Sequence, residues 1–133
     1  MFSRLLLSSL AVSVLLLAPG CPPEETIAPT LTDIQAQIFD NTCSFDSCHG
    51  GSTPEAALDL SSASASLAGL VGVESSQNDG DVRVVAGSPD QSLLYLALLG
   101  DVGSVNQMPV GYEHTSDEIE AIRTWIEEGA QDN

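Results

Sequence analysis

The sequence predicts a small all-α domain of three to four helices joined by long loops. Three observations support this fold class. Apolar residues recur at helical spacing in separate segments, helix-capping patterns precede those segments, and no segment alternates apolar with polar residues as a half-buried strand would. The chain has 133 residues, enough for one domain after its N-terminus is set aside.

Residues 1–20 read as an export signal. Arg4 provides the positive charge, and the apolar run from Leu5 to Ala18, about 14 residues, is shorter than the roughly 20 needed to cross a membrane. The sequence "LAPG" before Cys21 resembles the lipobox of bacterial lipoproteins, although Ala18 and Pro19 depart from the usual pattern. Cys21 is therefore the predicted lipid-attachment residue, and a plain signal peptide is the alternative. Residues 21–30 then form a Pro- and Glu-rich flexible tether, and residues 31–133 form the folded domain.

The charge of the chain excludes some classes of partner. It carries 19 acidic residues against three basic ones, which are all arginines, and its formal net charge is −16. So negative a chain repels nucleic acid and anionic lipid. We therefore expect no nucleic-acid binding, and we expect membrane attachment to occur only through the lipid anchor. The same charge favours a partner protein with a basic docking face.

The first two helices are predicted between the tether and residue 73. "TDIQAQIF" begins a helix capped by Thr32 with Gln35, and this helix runs directly into Cys43. "ALDLSSASASLAGLVGV" contains a short helix with Leu67 and Leu70 facing inward.

The strongest local signal is "SPDQSLLYLALLG". Ser88 is the predicted cap, Pro89 occupies the first helical position, Gln91 completes the capping box and Gly100 ends the helix. Because the segment is apolar almost all round, we expect it to be buried over much of its surface.

The last helix is predicted in "TSDEIEAIRTWIEEGA". Thr115 and Glu118 form another capping box, and Gly129 ends the helix. One face carries an apolar stripe made of Ile119, Ile122, Trp125 and Ile126.

The motif "CSFDSCHGG" places Cys43, Cys48 and His49 in the order C-x4-C-H. A Cys43–Cys48 disulfide suits an exported protein but leaves the histidine unexplained. A zinc site would need four ligands, and adjacent Cys48 and His49 side chains diverge. A catalytic Cys–His pair seldom consists of sequence neighbours.

Attachment of a c-type haem explains the order of these residues, although the usual spacing is C-x-x-C-H. Cys43 and Cys48 would form thioethers with the two vinyl groups of one haem, and His49 would then lie beneath the ring as the proximal iron ligand. The gap "SFDS" must loop outward for this. Met108, the sole methionine beyond the initiator, lies in the loop "NQMPVG" and is the predicted distal ligand. His114 is a second candidate, but we expect it to be solvent-facing.

With these residues in place, residues 31–130 resemble the class I c-type cytochromes, and most closely the small exported bacterial domains. The resemblance implies a cytochrome c-like fold with a haem pocket, in which Ile34 and Ile38 of the first helix pack on the last. It implies a non-enzymatic electron carrier with one covalent haem c, acting at the periplasm or cell surface with redox-protein partners. The alternative function is a haem-free lipoprotein that serves as a binding or structural module, with Cys43 bonded to Cys48.

Overall fold

A computed structural model describes residues 26–100 and 107–133. These ranges contain four helices and no strand: α1 (Leu31–Ile34), α2 (Ala63–Leu70), α3 (Leu93–Leu99) and α4 (Ser116–Glu127). α1 continues as a π-helical segment (Gln35–Cys43), and short 3-10 turns lie at Glu55–Ala57 and Pro89–Gln91. The all-α prediction is confirmed for this part of the chain.

The N-terminal predictions concern residues that the structure does not describe. The export signal, Cys21 and the first half of the tether lie outside the described ranges. Within those ranges, no helix combines the length and the apolar composition needed to cross a membrane.

The N-cap of the first helix lies two residues before the predicted one. Thr30, rather than Thr32, is the N-cap, and its hydroxyl accepts a hydrogen bond from the backbone N–H three residues later at 3.2 Å. Gln35 is buried, where its amide donates to the Leu60 carbonyl at 2.8 Å and accepts from the Ser66 hydroxyl at 2.7 Å. The predicted capping residue therefore ties the first helix to α2, because a buried amide must find partners inside the fold.

The segment before α3 also differs from the predicted capping box. Residues Pro89–Gln91 form a separate 3-10 turn, and α3 starts after Ser92. The buried Ser92 hydroxyl accepts from the Val85 N–H and donates to the Ser88 carbonyl, both at 2.9 Å. These bonds connect the start of α3 to the residues on the N-terminal side of the 3-10 turn. Gly100 ends α3 in the left-handed conformation, with φ 76°, as predicted.

α3 is less buried than its apolar composition suggests. Only Ala97 and Leu98 are buried, and Leu99 is 48% exposed. Leu93 and Leu94 are half-buried and line a cavity, and Leu94 also packs against the core.

α4 closes the core, as its apolar stripe predicts. The capping box of Thr115 and Glu118 is present in full. α4 contacts α1, α3 and the turn before α3. Most of the largest fully buried residues of the core lie on the first and last helices: Leu31, Ile34, Ile38, Phe39, Ile122, Trp125 and Ile126. Leu70 of α2 joins them.

Candidate functional site

The C-x4-C-H motif forms a compact turn at the end of the first helix. The π-helical segment ends at Cys43, and the His49 N–H donates back to the Cys43 carbonyl at 3.1 Å. Within the gap, residues 45–47 are exposed, and Phe45 is 53% exposed. The two extra residues of the motif are therefore accommodated by an outward loop, while both cysteines stay half-buried.

Cys43 and Cys48 are both free thiols. The Thr42 hydroxyl lies 3.4 Å from the Cys43 sulfur. Burial raises the pKa of the Cys43 thiol; the contact with Thr42 opposes this shift, and the charges of Cys48 and Glu118 add to it. Cys43 is therefore held as a neutral thiol at neutral pH, beside the second cysteine and unbonded to it.

Gly50 allows the turn to close on itself. It is buried, its N–H donates to the Phe45 carbonyl at 3.1 Å, and a Cβ at this position would lie 2.2 Å from the Ser44 carbonyl oxygen. No side chain fits there without moving the backbone of the C-x4-C loop.

We expect Gly50→Ala to destabilise the protein by about 1–3 kcal/mol, because the added methyl group overpacks against fixed backbone. Urea denaturation of the purified full chain measures this change. Gly69→Ala is the matched control, since the atom nearest to its Cβ would be the end of the Leu58 side chain, at 3.1 Å, and the backbone would stay at 3.7 Å or beyond. Equal stability of the two variants would show that the turn does not depend on the absence of a side chain at position 50.

His49 is oriented by a backbone carbonyl. Its Nδ1 lies 3.1 Å from the Glu55 carbonyl oxygen. A carbonyl only accepts hydrogen bonds, so Nδ1 carries a proton, and the tautomer of the neutral ring that fits this contact has its lone pair on Nε2. Metal-binding histidines usually have this arrangement, in which the second ring nitrogen donates to a carbonyl or carboxylate.

Met108 is held against the end of α3. Its backbone N–H donates to the Ala97 carbonyl at 3.1 Å, and its side chain is half-buried. Pro109 follows and restricts the backbone of the loop. The methionine thus has a defined position although it lies outside a helix.

One cavity of about 350 Å³ brings the predicted residues together. Cys43, Cys48, His49 and Met108 all line it. Its size lies within the range of about 300–1,000 Å³ found for small-molecule and cofactor pockets. The remaining wall is mainly aliphatic and aromatic, with side chains from all four helical regions: Ile38, Phe39, Leu58, Leu60, Leu70, Leu93, Leu94, Ala97, Leu98 and Ile122.

His114 does not line this cavity, and the prediction that it faces solvent is wrong. Its side chain is only 1% exposed, its Nδ1 lies 3.3 Å from a Glu118 carboxylate oxygen, and its ring packs edge-on against Tyr112. The capping box places the Glu118 carboxylate beside the histidine, because the Thr115 N–H donates to the same carboxylate oxygen at 2.7 Å. Among the described residues, its Nε2 has no hydrogen-bond partner.

The sequence reasoning missed Arg83. This arginine is 7% exposed and also lines the cavity. Its only sequence signal is weak: it is flanked by valines in "DVRVVAG", which favours burial of the arginine stem.

Over residues 26–100 and 107–133, no three His, Cys, Asp or Glu side chains form a group that could hold a metal ion. The chain matches no family model, no curated protein and no solved structure.

Proposed function

We propose that this protein is a monohaem c-type cytochrome that transfers single electrons outside the cytoplasm. One observation carries the proposal: two thiols, an imidazole and a thioether, from segments far apart in the chain, line the same largely apolar cavity. This residue set matches the protein groups that a c-type haem uses.

The two cysteines would hold the porphyrin covalently. In each thioether the sulfur bonds to one vinyl carbon, the thiol proton goes to the neighbouring carbon, and the double bond becomes single, so the reaction needs no oxidant. Cys43 and Cys48 are free thiols on the cavity wall, as this addition requires. The outward loop at residues 45–47 would let the longer gap serve this purpose.

His49 and Met108 would hold the haem iron. Haem supplies an iron that changes its oxidation state by one electron. Iron in a porphyrin needs only two ligands from the protein, which these side chains would provide through Nε2 and the thioether sulfur. With both ligands in place, no site remains for a substrate, so the role is transfer and not catalysis. A methionine ligand and an apolar wall both favour the ferrous state, so we expect a positive reduction potential.

The charge distribution supports a basic redox-protein partner. Of the two arginines beyond the signal, Arg83 is buried, and Arg123 is paired with Glu120 at 3.3 Å and with Glu127 at 2.6 Å. The surface is therefore overwhelmingly acidic. Opposite charge on a partner would raise the rate of encounter. Cys21 would tether the domain to a membrane surface.

The test is expression of the full chain in a host that has a haem-attachment system. We expect a red protein whose Soret absorbance stays with the polypeptide after acid–acetone extraction. A colourless product from such a host would contradict the proposal and favour the haem-free lipoprotein module.

A further inference from the structure

The turn Glu55–Ala57 carries the hydrogen-bond partner of His49 and has an unfavourable backbone conformation. Ala56 and Ala57 have φ values of 55° and 51°, in the left-handed region. For residues with a Cβ, this region is disfavoured because the Cβ lies too close to the following carbonyl oxygen. Contacts from elsewhere in the fold must therefore hold the turn in place.

Arg83 supplies such a contact. One end of its guanidinium, Nη2, donates to the Ala56 carbonyl at 2.7 Å, and the other, Nη1, donates to the Gly69 carbonyl at the end of α2 at 2.8 Å. The Ser76 hydroxyl also donates to the Ala56 carbonyl, at 2.9 Å. The arginine itself is anchored, because its backbone N–H donates to the Val73 carbonyl at 2.8 Å.

This use of an arginine is unusual for so acidic a chain. Among the described residues, no carboxylate forms an ion pair with Arg83, and its charge lies in the wall of an apolar cavity. A buried charge without a counter-charge is costly unless it has a structural or functional use. The rigid guanidinium can donate from two nitrogens to two carbonyls on separate segments. A lysine has one ammonium nitrogen and cannot reproduce this arrangement.

We propose that Arg83 is a positioning residue for His49. The guanidinium holds Ala56 against α2, and this fixes the preceding Glu55 carbonyl, to which the His49 Nδ1–H donates. The segment is tied to the motif a second time, because the Glu55 N–H donates to the Cys48 carbonyl at 2.8 Å. The part of this inference that concerns an iron ligand rests on the proposed function; the hold of Arg83 on the turn does not.

The test compares Arg83→Gln and Arg83→Lys with Arg123→Gln in the full chain from a haem-attaching host. Arg123 is the matched control because it pairs only with exposed carboxylates on α4. Two rates are measured by NMR: solvent exchange of the His49 Nδ1–H and hydrogen exchange of the backbone N–H groups of residues 55–58. Loss of the contact should accelerate both by up to about tenfold, the equivalent of one hydrogen bond. The control should match the wild type.

The lysine variant separates charge from geometry. It keeps the positive charge but reaches one carbonyl at most, so we expect faster Nδ1–H exchange together with a raised reduction potential, since His49 becomes a weaker electron donor to ferric iron. If Arg83→Gln does not accumulate, the same two exchange rates measured in Arg83→Lys decide whether Arg83 positions His49. Wild-type rates in a red Arg83→Lys protein would overturn the two-carbonyl role.

The two proposals fail in different ways. Unchanged exchange of the His49 Nδ1–H in red Arg83→Gln would overturn the positioning role and leave haem binding intact. A colourless wild type would overturn the proposed function. In that case the backbone rates of residues 55–58 still decide whether Arg83 holds the turn: faster exchange supports it, and unchanged exchange rejects it.

Discussion

Replacing Met108 by alanine is expected to open the sixth coordination position of the haem. The ferrous variant should bind carbon monoxide, with a shifted Soret band, whereas the wild type should not. Because the identity of axial ligands moves haem potentials over about 0.8 V, we expect the reduction potential to fall by on the order of 0.1 V. Absorption spectra under carbon monoxide and a redox titration measure both effects.

Two further variants show whether the effect is specific to Met108. Val110→Ala removes an apolar side chain from the same loop and cavity rim, where the valine is 79% exposed, and should leave the ligation unchanged. His114→Ala tests the competing ligand, and it should also remain closed to carbon monoxide because His114 lies outside the cavity lining. An unaltered spectrum in Met108→Ala would show that the sixth ligand is another group.

Replacing both Cys43 and Cys48 by alanine is expected to abolish covalent attachment. All haem that still binds should be extracted by acid–acetone, since only the axial ligands and the apolar wall would retain it. Each single variant should keep one thioether and stay coloured after extraction. Mass spectrometry of the intact chain measures the difference directly, as the gain or loss of one haem mass.

Cys21→Ser is the control for this experiment. It removes the third thiol, which we predict to carry lipid, and should move the protein from the membrane fraction to the soluble one without changing the haem. Haem that stays covalently bound after loss of both Cys43 and Cys48 would contradict the assignment of the thioethers. Membrane association that persists in Cys21→Ser would contradict the lipid anchor.

The helices were predictable because their signals are local. The capping box of Thr115 and Glu118 and the left-handed Gly100 act within a single turn of chain, and both are present as the sequence indicates. The outward loop of the C-x4-C motif was expected only as a condition of haem attachment, and residues 45–47 are exposed. The capping box predicted for the first helix was wrong because Gln35 bonds to Leu60 and Ser66 instead. Ser88 and Pro89 begin a 3-10 turn and not α3 itself, which starts after Ser92.

The sequence by itself determined the all-α class and singled out Cys43, Cys48, His49 and Met108 as a chemical set. Only the tertiary structure placed all four on one cavity, buried His114 beside Glu118 and brought Arg83 to the turn that orients His49. The physical reason is the sequence separation of the interacting residues, because helix caps and apolar faces depend on neighbours within a few residues. The partner of a buried polar group is set by whichever distant backbone the fold brings within hydrogen-bond distance.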